Sequence, residues 1–412
     1  MAIVSSSNGI EKYPKLRFSD FTEPWKKIKI GDIYAERSER GSETSELLSV
    51  TMNDGVKRRS ELEGKDNSSE DKGNYKVVCT GDMVYNSMRM WQGANGISPY
   101  NGIVSPAYTV LTAKCDISNG FFAALFKTHK LISEFCKHSQ GMTSDTWNLK
   151  YPQIESIKTY IPSVAEQQKI AALIEKVDKR IAIQKELIDS LKKYKRGVSK
   201  KVFDEIHNDT NCMVKQFSEV FELLQNNTFS RELLTEERTD VFNVHYGDIL
   251  VKYDSVVDPD IDAVPFVKTE TDISKFNSSS YLQDGDVIFA DTAEDYTVGK
   301  MCEIINVSNR KILSGLHTMP FRPTIVFAPM YLGYYLNSAA FRTQILPMIQ
   351  GAKVSSISKS EMKKTVMYIP SVDRQREIVN ILNALDKRIK RTEMVLDRLK
   401  EMKKGLLQNL FI

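Results

Sequence analysis

Ile161-Pro162-Ser163-Val164 opens a long charged stretch, and 208 residues later Ile369-Pro370-Ser371-Val372 opens another. Aligned without a gap from Ile161 to Phe203 against Ile369 to Phe411, the two agree at 16 of 43 positions, where chance gives roughly two or three. The agreements include Gln167 and Gln375, the runs Asp178-Lys179-Arg180-Ile181 and Asp386-Lys387-Arg388-Ile389, and Gly197 and Gly405. Such a chain is built twice, as a variable segment followed by a repeated helix. The boundaries read as a body at 1–160, a helix at 161–203, a second body at 204–368 and a second helix at 369–412.

Pro162 and Pro370 precede the helices where a missing N–H costs nothing, and Ser163 or Ser371 can cap the first turn. A 4–3 apolar spacing then runs through Ile170, Ile174, Val177, Ile181, Ile188 and Leu191, interrupted by Gln184 and later by Lys195. The second copy repeats it with Ile378, Leu382, Leu385, Ile389, Leu396 and Leu399, interrupted by Thr392 and Lys403. A seam sustained over several turns is what a coiled coil needs, and polar residues at matching places fix register. Internal pairing about a pseudo-twofold axis makes the helices antiparallel; packing of each helix on its own body, or a homodimer seam, are the alternatives. Roughly 35 helical residues at about 1.5 Å each give a length on the order of 50 Å.

At 412 residues the chain exceeds the size at which one core stops growing, about 250 to 300 residues. Two bodies of α/β (α+β) character follow. No run approaches the roughly 18 apolar residues that span a bilayer, and the start lacks a signal-peptide pattern, so a cytoplasmic protein without a membrane partner is expected. Cys79, Cys115, Cys136, Cys212 and Cys302 show neither paired nor zinc-ligand spacing, and the five histidines form no His-x-x-x-His pair; no metal is expected. The net charge of +4 is unevenly spread: +2 over 1–160, +6 over 161–203, −8 over 204–372 and +4 over 373–412. A nucleic-acid binder usually carries a strong basic footprint. With an acidic second body, a partner must supply much of the charge if DNA is bound tightly.

The bodies are divergent copies. Gly81-Asp82-Met83-Val84-Tyr85-Asn86 and Gly102 to Leu111 read as two strands, matched by Gly285-Asp286-Val287-Ile288-Phe289-Ala290 and Ile312 to Met319. Helical segments follow at Phe121 to His138 and Pro329 to Met348, each leading to a Gln-Gly step, Gln140-Gly141 and Gln350-Gly351. Between the strands the copies diverge: Ser87-Met88-Arg89-Met90-Trp91-Gln92-Gly93-Ala94-Asn95 against Asp291-Thr292-Ala293-Glu294-Asp295-Tyr296-Thr297-Val298-Gly299-Lys300. A shared scaffold with unlike loops suggests two related but different ligands.

The first-half string Asn86 to Gly93 with Gly102-Ile103-Val104-Ser105-Pro106-Ala107-Tyr108, the second-half string Ala290 to Lys300 with Leu313-Ser314-Gly315-Leu316-His317, and the Ile-Pro-Ser-x-x-x-Gln repeats together carry a specific resemblance. The chain resembles the specificity subunit of a type I DNA restriction-modification system over essentially its whole length. The resemblance implies two target-recognition domains, each reading half of a bipartite double-stranded DNA site. It also implies that the two helices form an antiparallel coiled coil that sets the spacer and docks two methyltransferase subunits, with restriction subunits joining later. A coiled-coil scaffold whose bodies bind proteins or carbohydrates is the competing reading.

Catalysis is not expected of the chain itself. It has no Asn-Pro-Pro-Tyr-like motif, no glycine-rich turn for S-adenosylmethionine and no Gly-x-x-x-x-Gly-Lys-Ser/Thr loop. S-adenosylmethionine, ATP and Mg are expected on partner subunits, and no cofactor here. Glu63-Gly64-Lys65 lacks the upstream Pro-Asp of a nuclease signature, and Asp254, Asp258, Asp260 and Asp262 lack the glycine and terminal glutamate of a calcium loop; both read as solvated loops.

Arg89 and Gln92, beside Trp91, have the groups to bond guanine and adenine edges, with a core Trp91 and a salt-bridged Arg89 as the alternative. Lys57-Arg58-Arg59 suits phosphate positioning or a plain solvated turn. Thr143, Ser144 and Asn148 follow Gly141, and Lys353, Ser355 and Ser356 follow Gly351, so both sets are candidates near DNA. Tyr296, Thr297 and Lys300 are the candidates of the second divergent loop, where Asp291, Glu294 and Asp295 would repel phosphate, although a carboxylate can accept from cytosine's amino group.

Overall fold

The structure is a computed structural model that describes residues 2–3, 12–41, 45–52, 54–66, 68–295, 297–351 and 354–412. It divides into two compact units, Met1–Glu186 with Glu393–Ile412, and Leu187–Thr392. Each contains one body and half of each long helix, Val164–Asn208 and Val372–Asn409.

In the first unit a four-stranded antiparallel sheet has the order Tyr34–Glu36, Tyr108–Ala113, Met83–Asn86, Asn95–Ile97. A separate ribbon pairs Lys26–Lys29 with Lys158–Ile161, the strand that leads into the first long helix. The expected strand from Gly102 to Leu111 is two strands, Gly102–Val104 and Tyr108–Ala113, because Pro106 has no N–H for the ladder and a turn closes from Tyr108 N–H to Ser105 O. The expected helix from Phe121 to His138 is likewise two, Asn119–Leu125 and His129–His138, divided where the Thr128 hydroxyl caps the second by accepting from Leu131 N–H. Their apolar faces bury Phe121, Phe122, Phe126 and Phe135 with Trp25 and Tyr34. Ile170 and Ile174 of the first long helix join this core, as do Leu410 and Phe411. The Phe411 ring lies 5.2 Å from Phe121 and 6.4 Å from Trp25. A buried ion pair, Arg17 with Glu166 at 2.7 Å, ties the preceding segment to the helix.

The second unit follows the same plan. Met213–Gln216 pairs with Val366–Ile369, which leads into the second long helix. Its main sheet runs Phe221–Leu223, Thr318–Pro323, Val287–Ala290, Met301–Ile304, Val256–Val257, with only the last pairing parallel. A further sheet contains Leu234–Thr235, Phe266–Val267, Val241–Val244 and Lys311–Ser314. The expected strand from Ile312 to Met319 breaks at Gly315-Leu316-His317, where His317 takes a φ of 54°. The expected helix from Pro329 to Met348 breaks at Ser338, whose hydroxyl caps Ala339–Ile345. Phe203 sits at the centre of the core against Tyr331 and Tyr335. By the repeat, Phe203 is the counterpart of Phe411.

The two long helices pair antiparallel. Within the second unit Lys195 meets Asp386 at 2.5 Å and Glu205 meets Arg374 at 3.6 Å, so one number rises as the other falls. In the first unit Asp178 meets Lys403 at 2.6 Å. Asp178 and Asp386 are repeat equivalents, as are Lys195 and Lys403, so the two seam lysines form the same ion pair in each unit. Ile170, Ile174, Val177, Ile188, Leu191, Ile378, Leu382, Ile389, Thr392 and Leu396 are buried, while Ile181, Gln184, Leu385 and Leu399 are half-buried. The serines cap as the sequence suggests, Ser163 Oγ accepting from Glu166 N–H and Ser371 Oγ from Arg374 N–H.

Gln167 and Gln375 fasten body to helix. Each is buried; each Nε2 donates to the carbonyl of the preceding proline, Pro162 or Pro370, at 3.0 Å. Each Oε1 accepts a backbone N–H of its own body, from Ser118 at 3.1 Å and Ala328 at 2.9 Å. An amide side chain is suited to this because it donates and accepts at once.

Candidate nucleic-acid interface

In the first unit two stretches separated in sequence come together. Strand Met83–Asn86 ends in a short turn that carries Arg89, Trp91 and Gln92, and Leu149 N–H donates to Ser87 O at 2.8 Å. Gln140 and Asn148 exchange two backbone hydrogen bonds and close the loop between them. Gly141 permits this at a φ of 142°, where a Cβ would meet the Thr146 carbonyl at 2.6 Å. Arg89 lies 4.0 Å from Asp145, and Trp91 meets Trp147 edge-on at 5.3 Å. Trp91 is half-buried, its Nε1 donating to Met88 O. Arg89 and Gln92 are half-buried, Thr143 and Ser144 are exposed, and Asn148 is half-buried. This surface offers a cation, two amides, two hydroxyls and an aromatic edge, groups that hydrogen-bond bases and phosphates.

Lys57-Arg58-Arg59 has other partners. Arg59 donates to the carbonyls of Leu62, Gly64 and Lys65, which organises the Glu63-Gly64-Lys65 loop. Arg58 covers the Tyr100 ring at 4.6 Å and stays exposed, while Lys57 is half-buried.

The second unit places the equivalent pieces in the same relation. Ile357 N–H donates to Asp291 O, as Leu149 does to Ser87, and Thr292-Ala293 pairs with Ser355-Ser356. Gln350 and Ser356 close the loop, with Gly351 at a φ of 109°. Ser355 is half-buried and Ser356 exposed. Thr297 is exposed and bonded to Asp295. Lys300 turns inward: its Nζ donates to Leu250 O and Tyr253 O at the end of helix Tyr246–Val251, where a cation complements free carbonyls. Burial pushes its pKa below the usual lysine range. Its ammonium is held by these two carbonyls of its own unit. Tyr296 and Lys353 lie outside the described residues.

Three residues of the surface are absent from the sequence-based set. Met142 is fully exposed at the loop tip, and Trp147 supplies the aromatic partner of Trp91. His317 is half-exposed, 3.4 Å from Asp291 and edge-on to Tyr246. Its left-handed backbone aims it there, and its N-terminal neighbours in the Leu-Ser-Gly-Leu-His string are the only signal. The counterpart of His317 is Ala107, since Asp291 N–H bonds His317 O as Ser87 N–H bonds Ala107 O. The two surfaces thus share a frame and differ in charge: Arg89 on one, Asp291 with His317 on the other.

The acidic run of the second unit is partly structural: Asp262 accepts from Asp258 N–H, Arg310 pairs with Asp260, and Asn306 donates to Asp258. Among the described residues no group of three or more His, Cys, Asp or Glu side chains is arranged to hold a metal ion. No helix among them is long and apolar enough to cross a membrane.

The family model for the type I restriction modification DNA specificity domain matches the chain twice, at residues 22–193 and 210–401. Two solved structures share the fold. One is the S subunit of a type I restriction-modification system from M. genitalium, 15% identical, with a TM-score of 0.58 over 97% of this chain and 99% of that one. The other comes from work on complex assembly and conformational transition of the type I R-M system, 16% identical, with a TM-score of 0.59 over 94% and 97%. The family match lends no support to the scaffold reading. With two matched domains, each presenting its own loop surface beside a paired helix, the chain belongs to the type I restriction-modification DNA specificity family, whose business is recognition of DNA sequence.

Proposed function

We propose that each unit reads one half of an asymmetric bipartite site on double-stranded DNA, and that the helix pair sets the unread spacer between the halves. One observation carries this reading: the two units hold the same loop frame, closed by Gln140–Asn148 and Gln350–Ser356, yet place Arg89 in one and Asp291 with His317 in the other. A guanidinium donates where a carboxylate accepts, so the same dock favours different base edges.

The chain directs chemistry that partners perform. The repeated helices offer two methyltransferase subunits like surfaces, and restriction subunits join that assembly. S-adenosylmethionine, ATP and Mg belong to those partners, in the cytoplasm. The charge distribution supports the division, since the second body is acidic and non-specific DNA affinity rests on cations.

Methylome sequencing of a host carrying the chain with its methyltransferase tests this. The expected result is a modified motif of two unlike blocks separated by unspecified bases. A continuous symmetric motif would overturn it.

A further inference from the structure

In the second unit Tyr334 fills the angle between body and helix pair. Its hydroxyl donates to Asp386 Oδ2 at 2.8 Å, and Lys195, itself paired to Asp386, lies 5.4 Å from the ring centroid. The first unit keeps the receiving half of this arrangement: Asp178 and Lys403, the repeat equivalents of Asp386 and Lys195, form their ion pair at 2.6 Å. It lacks the tyrosine. The counterparts Ser118 and Ala328, which bond the clamp glutamines, and Thr128 and Ser338, which cap the next helices, lie 210 residues apart. The same offset pairs Tyr334 with Ala124.

The space left by that exchange is a cavity of about 240 Å³, lined by Ala124, Lys127, Ile174, Asp178, Lys403 and Leu407 among others. About 150 Å³ admits a benzene ring. Asp178 is 46% exposed where Asp386, under Tyr334, is 22% exposed. Ala124, Ile174 and Leu407 give the cavity an apolar wall, Lys403 a cation for a ring face, and Asp178 an acceptor for a hydroxyl.

We propose that this crevice of the first unit binds a phenol ring, whose hydroxyl donates to Asp178 as Tyr334 donates to Asp386. The ring comes from a tyrosine of a docked protein chain or from a free phenol. Both present the same group.

The test titrates the full chain with p-cresol, the tyrosine side-chain analogue, followed by ligand-observed NMR. Saturable binding is expected, weakened about tenfold or more by Ala124→Tyr, which supplies the ring internally, and by Ala124→Leu, which occupies the space without a hydroxyl. Toluene should bind more weakly than p-cresol. Retained melting temperature in both variants shows that they fold. The proposal is overturned if wild type binds no p-cresol saturably, if both variants bind it unchanged, or if toluene binds equally. Repeating the titration on the complex purified with its methyltransferase subunits separates the sources: a blocked site supports a partner tyrosine, and an open one supports a free phenol.

Discussion

Residue by residue, the structure separates cations that can meet DNA from cations spent on the fold. Arg89 is half-buried and, among the described residues, pairs with Asp145 at 4.0 Å, so truncation to alanine should leave the fold intact. It should cost about 1–3 kcal/mol of discrimination at one base of one half-site, read by competition gel shift of the assembled complex. Arg59→Ala should do the reverse, lowering melting temperature without changing base preference, because it frees the three carbonyls that Arg59 holds. Glu303 gives a pH signature. Burial pushes its carboxyl up to about 7 against the amides of Gly333, Met330 and Leu332, which favour the charged form. A raised carboxyl pKa means that the folded state holds a proton that the unfolded chain has lost above its usual value of 4.5. Stability should therefore fall as pH rises from about 4.5 to about 7, by on the order of 3 kcal/mol. Glu303→Gln should flatten that slope in melting curves recorded across the window; an unchanged slope would assign the pH dependence elsewhere.

At the scale of elements, the glutamine clamps and the seam are the parts that repeat. Gln167→Ala leaves the Ser118 N–H without its partner in a buried site, a loss of about 1–3 kcal/mol; Gln375→Ala should match it through Ala328 N–H. Denaturant titration of each variant checks this, and Gln167→Glu, which keeps the acceptor, should recover part of the loss. These repeated helices were legible in the sequence because a 3.5-residue apolar period survives duplication and needs no tertiary context. The seam lysines were legible only as interruptions. Their aspartate partners lie near 200 residues away, a pairing that no local pattern encodes. The broken strands and helices have a related cause: Thr128 and Ser338 cap a new helix inside a continuous apolar run, so periodicity alone fused two elements. For Lys300 and Arg59 the basic charge is visible in sequence, and the carbonyls that hold it are not. The exposure of His317 rests on a positive φ within a strand-like string, which the sequence pattern does not encode.

For the molecule as a whole, Phe203 and Phe411 tie helix ends to cores. Phe411→Ala should cost about 3–5 kcal/mol and destabilise the unit that contains Trp25 and Phe121. Hydrogen exchange resolved by segment checks this, with protection expected to fall across Asn119–Leu125 and to persist in Ala339–Ile345. Loss in the second segment instead would count against the assignment of Phe411 to the first core.

That packing also orders events in time. The first unit is discontinuous, Met1–Glu186 completed by Glu393–Ile412, with the second unit inserted between them. A ribosome delivers the opening body early, but delivers Leu410 and Phe411, its missing wall, only after the whole inserted unit. The nascent body must wait with Trp25 and Phe121 uncovered, while the inserted unit has all its parts sooner. A stop codon just before Leu410 would then injure the portion made first.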